Sequence, residues 1–305
     1  MDLPKLFLDR MKKLLGNEFN LFLKFQKQPL LKTIRINTLK IKVKDFLSLV
    51  NWDLERLKFY KEGFIVRNKY TIGNSLYHFL GYIYIQEASS MIPPIVLNPK
   101  PKEWVLDMCA APGSKTTQIA QMMKNEGVLF ANEISLKRIS ALGLNLQRCG
   151  VANTILTKMN GTRFPKTGYK FDKVLVDAPC SSEGAMRKDA YSVLSMWGIK
   201  TINSLSKLQK RLILSGFDSL KEKGTLVYST CTMAPEENEE VLDFLLKNRP
   251  CAKIVKVNVK NLNHHNGITR WEGKEFDNSV KNAIRIYPQD NNTEGFFISK
   301  VVKKC

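Results

Sequence analysis

Apolar positions follow one pattern in the first ninety residues and another in the rest of the chain. In residues 3–25 they recur every three or four positions, which predicts an amphipathic helix that ends before Pro29. Short segments at 33–37 and 82–85 have the composition and spacing of strands. Residues 1–90 are therefore predicted to form a small α+β domain.

From about residue 91, uninterrupted apolar runs alternate with helical stretches. Continuous apolar strands separated by helices are typical of a parallel sheet that helices cover on both faces. Residues 91–305 are therefore predicted to form a doubly wound, mostly parallel α/β domain of Rossmann-like architecture. The predicted strands of this sheet are 104–106, 128–130, 154–156, 174–176 and 226–228, with a last strand at 296–302.

The net charge of the chain indicates the kind of partner that it binds. The chain has 48 Lys and Arg against 28 Asp and Glu, a formal charge of +20, and its first 70 residues are the most basic part. An excess of this size favours an anionic partner, with nucleic acid as the first interpretation. A well-solvated lysine-rich surface and an anionic membrane remain the alternatives at this point.

Several classes of protein are set aside by what the sequence lacks. No apolar run reaches the roughly 20 residues of a membrane-spanning helix, and the first residues do not resemble a secretion signal. The six cysteines form no CxxC pair, so neither a disulfide framework nor a zinc site is expected, and Cys149, Cys251 and Cys305 are interpreted as small buried apolar residues. We expect a cytoplasmic monomer without a metal.

Small residues follow the first predicted strand, at the edge of the sheet where parallel α/β folds bind ligands. The glycine spacing departs from the dinucleotide motif, which weakens that interpretation but leaves it open, and it does not match the phosphate-binding loop. Glu133 ends the second strand, where a carboxylate accepts hydrogen bonds from ribose hydroxyls or caps the next helix. An adenosine-type cofactor is therefore predicted. The segment beside it is Cys109, Ala110, Ala111, Pro112, Gly113, Ser114 and Lys115.

Two thiols also follow predicted strands. Cys180 lies in the segment Asp177-Ala178-Pro179-Cys180, and Cys231 follows the fifth strand. A thiolate that adds to C6 of a pyrimidine makes C5 nucleophilic, and an acid near N3, here Asp177 in its protonated form, offsets the charge that develops. The residues therefore indicate methylation at a pyrimidine C5. Spacing alone does not say which of the two thiols is the nucleophile.

Taken in order, these segments resemble the Sun family of S-adenosylmethionine-dependent RNA 5-methylcytosine methyltransferases. The resemblance covers most of the chain, from Ile34-Arg35-Ile36-Asn37-Thr38 to Glu294-Gly295-Phe296-Phe297. It implies a methyltransferase fold, S-adenosylmethionine as the cofactor and RNA as the partner. We expect tRNA as the substrate, with rRNA as the alternative. A non-catalytic RNA-binding assembly factor with the same fold is the rival from another class.

The resemblance also implies a role for each residue that matches a motif. Cys231 takes the place of the nucleophile, and Cys180 that of the thiol that assists product release. The cofactor loop would be 109–115, with Lys115 facing the reaction centre. Four further residues are implied to contact the cofactor, namely Glu133 at the ribose, Arg138 nearby, Asn160 at the adenine and Asp177 at the acid position.

Two positions depart from the family pattern. Asn160 stands where an Asp usually contacts the adenine amino group, so weaker cofactor binding is expected. Gln289 replaces a common His, and nothing in the sequence explains the change. A third segment, with carboxylates at Glu236, Glu237, Glu239 and Glu240, is predicted to form a solvated first turn of a helix.

Overall fold

A computed structural model describes residues 3–67 and 71–305 of the chain. In its N-terminal part, helices and strands alternate as the sequence predicts. The single helix expected over 3–25 is broken, because Gly16 adopts a left-handed φ of 54° and a 3₁₀ turn follows at Gly16–Glu18. The elements are α1 (Lys5–Leu15), α2 (Phe19–Gln26), β1 (Thr33–Ile36), α3 (Val43–Leu49), β2 (Leu54–Arg56), β3 (Gly63–Val66), α4 (Leu76–Phe79) and β4 (Ile83–Ile85).

The remaining elements build a large mixed sheet and its covering helices. They are α5 (Ile92–Leu97), β5 (Trp104–Asp107), α6 (Ser114–Met123), β6 (Val128–Asn132), α7 (Leu136–Cys149), β7 (Thr154–Thr157), β8 (Phe171–Asp177), α8 (Met186–Met196), α9 (Ile199–Asp218), β9 (Leu220–Thr230), α10 (Glu239–Asn248), β10 (Ala252–Val255), β11 (His265–Asn266), β12 (Arg270–Trp271), β13 (Lys274–Glu275), β14 (Ile284–Ile286), α11 (Pro288–Asn291) and β15 (Phe296–Lys303).

The sheet order shows where a ligand would bind. The large sheet runs β11-β14-β15-β9-β8-β5-β6-β7, and β5 to β9 are parallel to one another. β15 pairs antiparallel with β9 and continues the sheet beyond the parallel part. The chain order reverses between β5 and β8, so the crevice at their carboxyl ends is the expected ligand site of a doubly wound fold. The predicted α/β fold class is confirmed.

Side chains of the central strands alternate between two apolar layers. Val174 and Val176 of β8 face one layer with α9 and α10, whereas Leu175 faces the other with α5 and α6. Both faces of the parallel strands are therefore buried, which explains why their sequences are continuous apolar runs. A separate core lies between α3 and the small antiparallel sheet β2-β3-β1-β4.

The small sheet is joined to the large domain by a buried arginine. Arg35 of β1 is fully buried, and its Nε donates to Gln86 Oε1 at 2.9 Å. Its Nη groups donate to Thr117 Oγ1 at 2.7 Å and to the side chain of Gln121, both on α6. The guanidinium therefore connects the N-terminal sheet directly to the helix that follows the cofactor loop.

One cysteine prediction is wrong. Cys251 and Cys305, interpreted from sequence as small buried apolar residues, form a disulfide, while Cys149 is buried and free. The antiparallel pairing of β10 with β15 sets Ala252 opposite Lys303. Cys251 lies one position before Ala252 and Cys305 two positions after Lys303, so the pairing brings the two cysteines together. Within the described residues, no helix has both the length and the apolar character that crossing a membrane requires.

Candidate active site

Two cavities open at the carboxyl ends of the parallel strands. One has a volume of about 400 Å³ and is lined by Lys115, Asp177, Cys231 and Glu294. The other has a volume of about 130 Å³ and is lined by Cys109, Glu133, Arg138 and Asn160. We call the first the base pocket and the second the cofactor cavity. The structure thus brings the residues predicted from sequence to one edge of the sheet and separates them into two groups.

The two thiols meet beside the base pocket. β8 and β9 are parallel neighbours, so the loops after them carry Cys180 and Cys231 to the same place, with 3.3 Å between the two Sγ atoms. Cys231 lines the base pocket, and its Sγ also lies 3.5 Å from Ser182 Oγ. Cys180 is not among the residues that line this pocket, so the geometry favours Cys231 as the thiol that reaches a ligand.

The contact between the two thiols shifts their pKa values in opposite directions. A hydrogen bond from Cys180 lowers the pKa of Cys231 to about 7; burial opposes this shift, and Ser182 and Lys115 assist it. The same hydrogen bond, together with burial, raises the pKa of Cys180 well above its usual value. Near neutral pH the pair therefore holds a thiolate on Cys231 and a proton on Cys180, which is the arrangement a nucleophile with a neighbouring acid needs.

Lys115 and Asp177 form an ion pair on the wall of the base pocket. Lys115 Nζ lies 2.7 Å from Asp177 Oδ2, and Ser229 Oγ donates to the other carboxylate oxygen at 2.7 Å. Burial lowers the pKa of Lys115, but the Asp177 carboxylate outweighs it and the net shift is upward. Lys115 therefore stays a cation beside the thiolate of Cys231. The carboxylate of Asp177 is engaged on both oxygens.

The acidic segment after Cys231 is buried, so its prediction as a solvated turn is wrong. Glu237 accepts from Ser181 N at 3.0 Å, and Asn238 binds both Thr230 Oγ1 and the carbonyl of Thr232. These bonds hold the residues that flank the two thiols. The remaining carboxylates also have partners, Arg10 for Glu236, Arg285 for Glu239 and Lys210 for Glu240.

The cofactor cavity contains the residues predicted to hold the adenosine end of a ligand. Glu133 is 3% exposed, accepts from Ser135 N at 3.0 Å and pairs with Arg138 Nη1 at 3.0 Å. Arg138 also donates to the carbonyl of Ala111 at 2.6 Å and so holds the loop before α6. Asn160 is exposed, and its Oδ1 accepts from Thr162 N at 3.0 Å.

The loop between β5 and α6 separates the two cavities. Gly113 has a φ of 108°, a conformation that side chains disfavour, and a Cβ there would lie 3.0 Å from Leu142 Cδ1. Beneath the loop, Thr116 Oγ1 donates to Asp107 Oδ2 at 2.7 Å, while Asp107 Oδ1 is buried without a partner. An unpaired carboxylate oxygen at this point offers an acceptor to a bound group.

These residues fit S-adenosylmethionine. A carboxylate for the ribose, an amide for the adenine and apolar walls from Met159 and Leu212 surround the cofactor cavity. Glu133 and Asn160 would hold the adenosine end. The unpaired Oδ1 of Asp107 and the loop of 109–115 would hold the end that points to the base pocket. The chemistry of this donor set is that of a nucleoside, not of a phosphate group, because it contains a carboxylate where an anion would be repelled.

Two acids that line the base pocket, the half-buried Glu87 and the buried Glu294, were missed by the sequence reasoning. Glu294 precedes β15 and is 6% exposed, and its backbone N–H donates to Glu87 Oε1 at 3.1 Å. Glu294 belongs to a block quoted for the resemblance, but no role was inferred for it. The only signal in the sequence is a carboxylate directly before an apolar strand.

Three donors of metal-binding type lie away from this site. Glu18, His265 and Asp290 place a nitrogen and two carboxylate oxygens within 4.8 Å of one another. A hydrogen bond to Asp290 raises the pKa of His265, because the protonated ring is paired with both acids. The group acts as an ion-paired contact between the 3₁₀ turn of Gly16–Glu18, β11 and α11. Gln289 contributes to it by donating to Glu18 at 3.1 Å.

Comparisons with known proteins identify the family. Residues 94–302 match the family model described as 16S rRNA methyltransferase RsmB/F, and residues 3–88 match the N-terminal domain of 16S rRNA methyltransferase RsmF. A tRNA (cytosine(49)-C(5))-methyltransferase from Pyrococcus abyssi is 47% identical over 280 residues, which are 90% of this chain and 89% of that protein.

Two further proteins extend the comparison. A ribosomal RNA small subunit methyltransferase F from Shewanella sediminis is 40% identical over 93% of this chain, which spans only 59% of that enzyme. The crystal structure of a methyltransferase homolog protein from Pyrococcus horikoshii matches with a TM-score of 0.88 and 38% identity, covering 99% of this chain and 95% of that one. The family predicted from the sequence is confirmed: the chain belongs to the RsmB/F, or Sun, family of S-adenosylmethionine-dependent RNA methyltransferases.

Proposed function

We propose that the protein methylates C5 of a cytosine in tRNA through a transient bond between Cys231 Sγ and C6 of the base. The observation that carries the proposal is the 3.3 Å contact between two thiols, of which only Cys231 lines the base pocket. A cytosine inside a stacked helix could not reach this pocket, so the target base must be unstacked or turned out of the RNA.

The first step is addition of the Cys231 thiolate to C6. Its electron pair forms the S–C6 bond, the C5–C6 π pair moves to C4–C5, and the C4–N3 π pair moves to N3, which takes a proton from an acid of the pocket. The hydrogen bond from Cys180 and the charge on Lys115 hold the thiolate ready for this step near neutral pH. The resulting enamine makes C5 nucleophilic, which an unmodified cytosine is not.

S-adenosylmethionine, when bound, supplies an electrophilic methyl group at its sulfonium. Glu133 and Asn160 would fix the adenosine end, and the loop of 109–115 would direct the other end towards the base pocket. The Lys115–Asp177 pair faces the base, where the carboxylate oxygens accept hydrogen bonds from the exocyclic amino group. The chain thus positions the two reactants on opposite sides of one loop.

Release follows when the C5 proton is lost to solvent. The C5–C6 double bond re-forms, the S–C6 bond breaks with its electron pair returning to Cys231, and N3 gives back the proton that it took in the first step. Cys180 stabilises the departing thiolate, because its proton lies within hydrogen-bond distance of that sulfur. This division of labour assigns bond formation to one thiol and bond cleavage to the other.

Transfer RNA is the substrate that the comparisons favour. The tRNA methyltransferase from Pyrococcus abyssi matches along 89% of its length, whereas the chain spans 59% of the rRNA enzyme from Shewanella sediminis. The charge of +20 suits either RNA through contacts to phosphate. Ribosomal RNA is therefore kept as the second candidate, since the matched family model carries that description.

The test is bisulfite mapping of RNA treated with the purified protein and S-adenosylmethionine. We expect 5-methylcytosine at a defined position of a tRNA transcript and none with Cys231→Ala. Small-subunit rRNA is mapped in parallel, and a signal only there would shift the assignment to rRNA. No 5-methylcytosine on either RNA would refute the proposed activity.

A further inference from the structure

Glu294 is a carboxyl group of the base pocket that the mechanism above does not use. It lines the same 400 Å³ pocket as Cys231 and Asp177. Its Oε1 is buried without a hydrogen-bond partner. A buried polar atom left unpaired is costly unless a ligand completes it. The position of this atom therefore points to a contact with whatever occupies the pocket.

The two acids of the pocket differ in their partners. Asp177 pairs with the Lys115 ammonium and accepts from Ser229, so its carboxylate is compensated. Glu294 has the opposite surroundings, because its own backbone N–H binds the carboxylate of Glu87, whose negative charge acts on the Glu294 carboxyl group. Glu87 in turn accepts from Ser89 N at 2.7 Å and Ser90 N at 3.2 Å, which fixes its charge in place.

These surroundings favour the protonated form of Glu294. Burial, and then the charge of Glu87, raise the pKa of Glu294 to about 8. Lys188, Lys115 and Arg187 work in the other direction but do not cancel the shift. The ionisable groups that act on it are Glu87 before the 3₁₀ turn of 89–91, Cys231 after β9, Lys115 on α6, and Arg187 and Lys188 on α8.

We propose that Glu294, and not Asp177, is the acid that gives a proton to N3 of the target cytosine when Cys231 adds to C6. This inference rests on the proposed function. The Glu294 O–H bond breaks as the N3–H bond forms, and the electron pair left on Glu294 makes it a carboxylate. After methyl transfer the N3 proton returns to Glu294 as the C5 proton is lost and the S–C6 bond breaks, so the acid is restored in each cycle.

The sequence-based assignment of a protonated acid to Asp177 changes accordingly. Asp177 serves as the acceptor that holds the exocyclic amino group, with Lys115 neutralising its charge. Glu294 supplies the proton. Two carboxyl groups in one site thus take different roles because one is paired with a cation and the other lies beside an anion.

The experiment measures how fast the protein forms a covalent complex with tRNA that carries 5-fluorocytosine at the target position, with S-adenosylmethionine present, between pH 6 and 9. Fluorine replaces the hydrogen that must leave, so the complex accumulates. For the wild type we expect a rate that rises through about pH 7, as Cys231 ionises, and falls above about pH 8, as Glu294 does. Glu294→Gln should be slower by about 10²-fold and lose the alkaline fall.

Two further variants make the result specific. Glu62→Gln removes another carboxyl with a buried, unpartnered oxygen and a burial-raised pKa, but one directly before β3, and should keep the wild-type profile. Glu294→Asp retains an acid at the site and should keep an alkaline fall with a shifted midpoint. This comparison also serves if Glu294→Gln does not fold.

The outcomes separate this inference from the function on which it rests. A wild type that forms the complex but shows no fall between pH 7 and 9 would overturn the role of Glu294. So would a Glu294→Gln variant with an unchanged rate and profile. If the wild type forms no complex and no 5-methylcytosine on any RNA, the proposed function itself is refuted, and the role of Glu294 is refuted with it.

Discussion

The cofactor cavity and the base pocket lie on two sides of one loop, yet their polar groups are arranged in opposite ways. In the cofactor cavity, Glu133 has its positive partner in Arg138, and Asn160 accepts a backbone hydrogen bond. In the base pocket, Cys231 lies 3.3 Å from a second thiol, and the charge of Glu87 acts on Glu294.

This difference separates binding from chemistry. Groups whose partners are already in place recognise a ligand without changing their protonation, so their substitution alters affinity. Groups with displaced pKa values exchange protons during a reaction, so their substitution alters rates and pH dependence. Variants of the two cavities should therefore affect different kinetic constants.

The largest effect is expected for Cys231→Ala. Removing the nucleophile should lower methylation by on the order of 10⁴-fold or more, because the neighbouring thiol of Cys180 does not line the base pocket. Equilibrium titration should show unchanged affinity for tRNA and for S-adenosylmethionine. Cys149→Ala, which removes a buried free thiol outside both cavities, is the control and should retain activity. Loss of cofactor affinity in Cys231→Ala would break the separation of the two cavities.

Cys180→Ala should trap the enzyme on its product. Without the proton beside the departing sulfur, a protein–RNA complex resistant to denaturant should accumulate on gels, and multiple turnover should fall by about 10²-fold. The double variant that also carries Cys231→Ala should form no such complex. A Cys180→Ala enzyme that turns over freely without any complex would contradict the assigned roles.

On the cofactor side, Glu133→Gln should weaken binding. Losing charge-assisted hydrogen bonds to the ribose costs roughly 1.5–3 kcal/mol, or about 10- to 100-fold in Kd. The single-turnover rate at saturating S-adenosylmethionine should change much less. Glu126→Gln removes an exposed carboxylate before β6 and serves as the matched control. If the saturated rate fell as far as the affinity, Glu133 would belong to the chemistry after all.

The smallest effect is expected for Asn160→Asp. A carboxylate accepts a stronger hydrogen bond from the adenine amino group than an amide does, by about 1 kcal/mol, so Kd should fall by about 5-fold. Calorimetry with S-adenosylmethionine measures the change. Asn98→Asp adds the same charge on the surface away from the cavity and should leave Kd unchanged. Weaker binding by Asn160→Asp would show that the family pattern does not carry over at this position.

Much of this arrangement could be predicted from local sequence. Continuous apolar runs identify parallel strands, and a parallel sheet places all strand ends at one edge, so Glu133, Cys180 and Cys231 were expected there. The reasoning needs no knowledge of distant contacts. The extent of the N-terminal domain over 1–90 stays a prediction, as do the monomeric state and the cytoplasmic location.

Features set by distant partners could not be read in this way. From local sequence, Glu237 and Glu239 are predicted to lie in a solvated turn. In the structure, Ser181 donates a hydrogen bond to Glu237, and Arg285 forms an ion pair with Glu239. Glu294 is unremarkable in sequence, because its environment is created by Glu87, more than 200 positions earlier. The disulfide of Cys251 likewise depends on the pairing of two strands. In each case the deciding neighbour lies far along the chain.

Arg35 connects the N-terminal sheet to the helix that carries Lys115. Its guanidinium donates a hydrogen bond to Thr117, which lies two positions from Lys115 on the same helix. Removing residues 1–90 would leave the polar side chains of Thr117 and Gln121 on α6 without the partner that Arg35 provides. We therefore expect that residues 91–305 cannot be exchanged as an independent unit. A bound RNA that displaced the N-terminal sheet would also displace α6, which carries the charge of Lys115 next to Cys231.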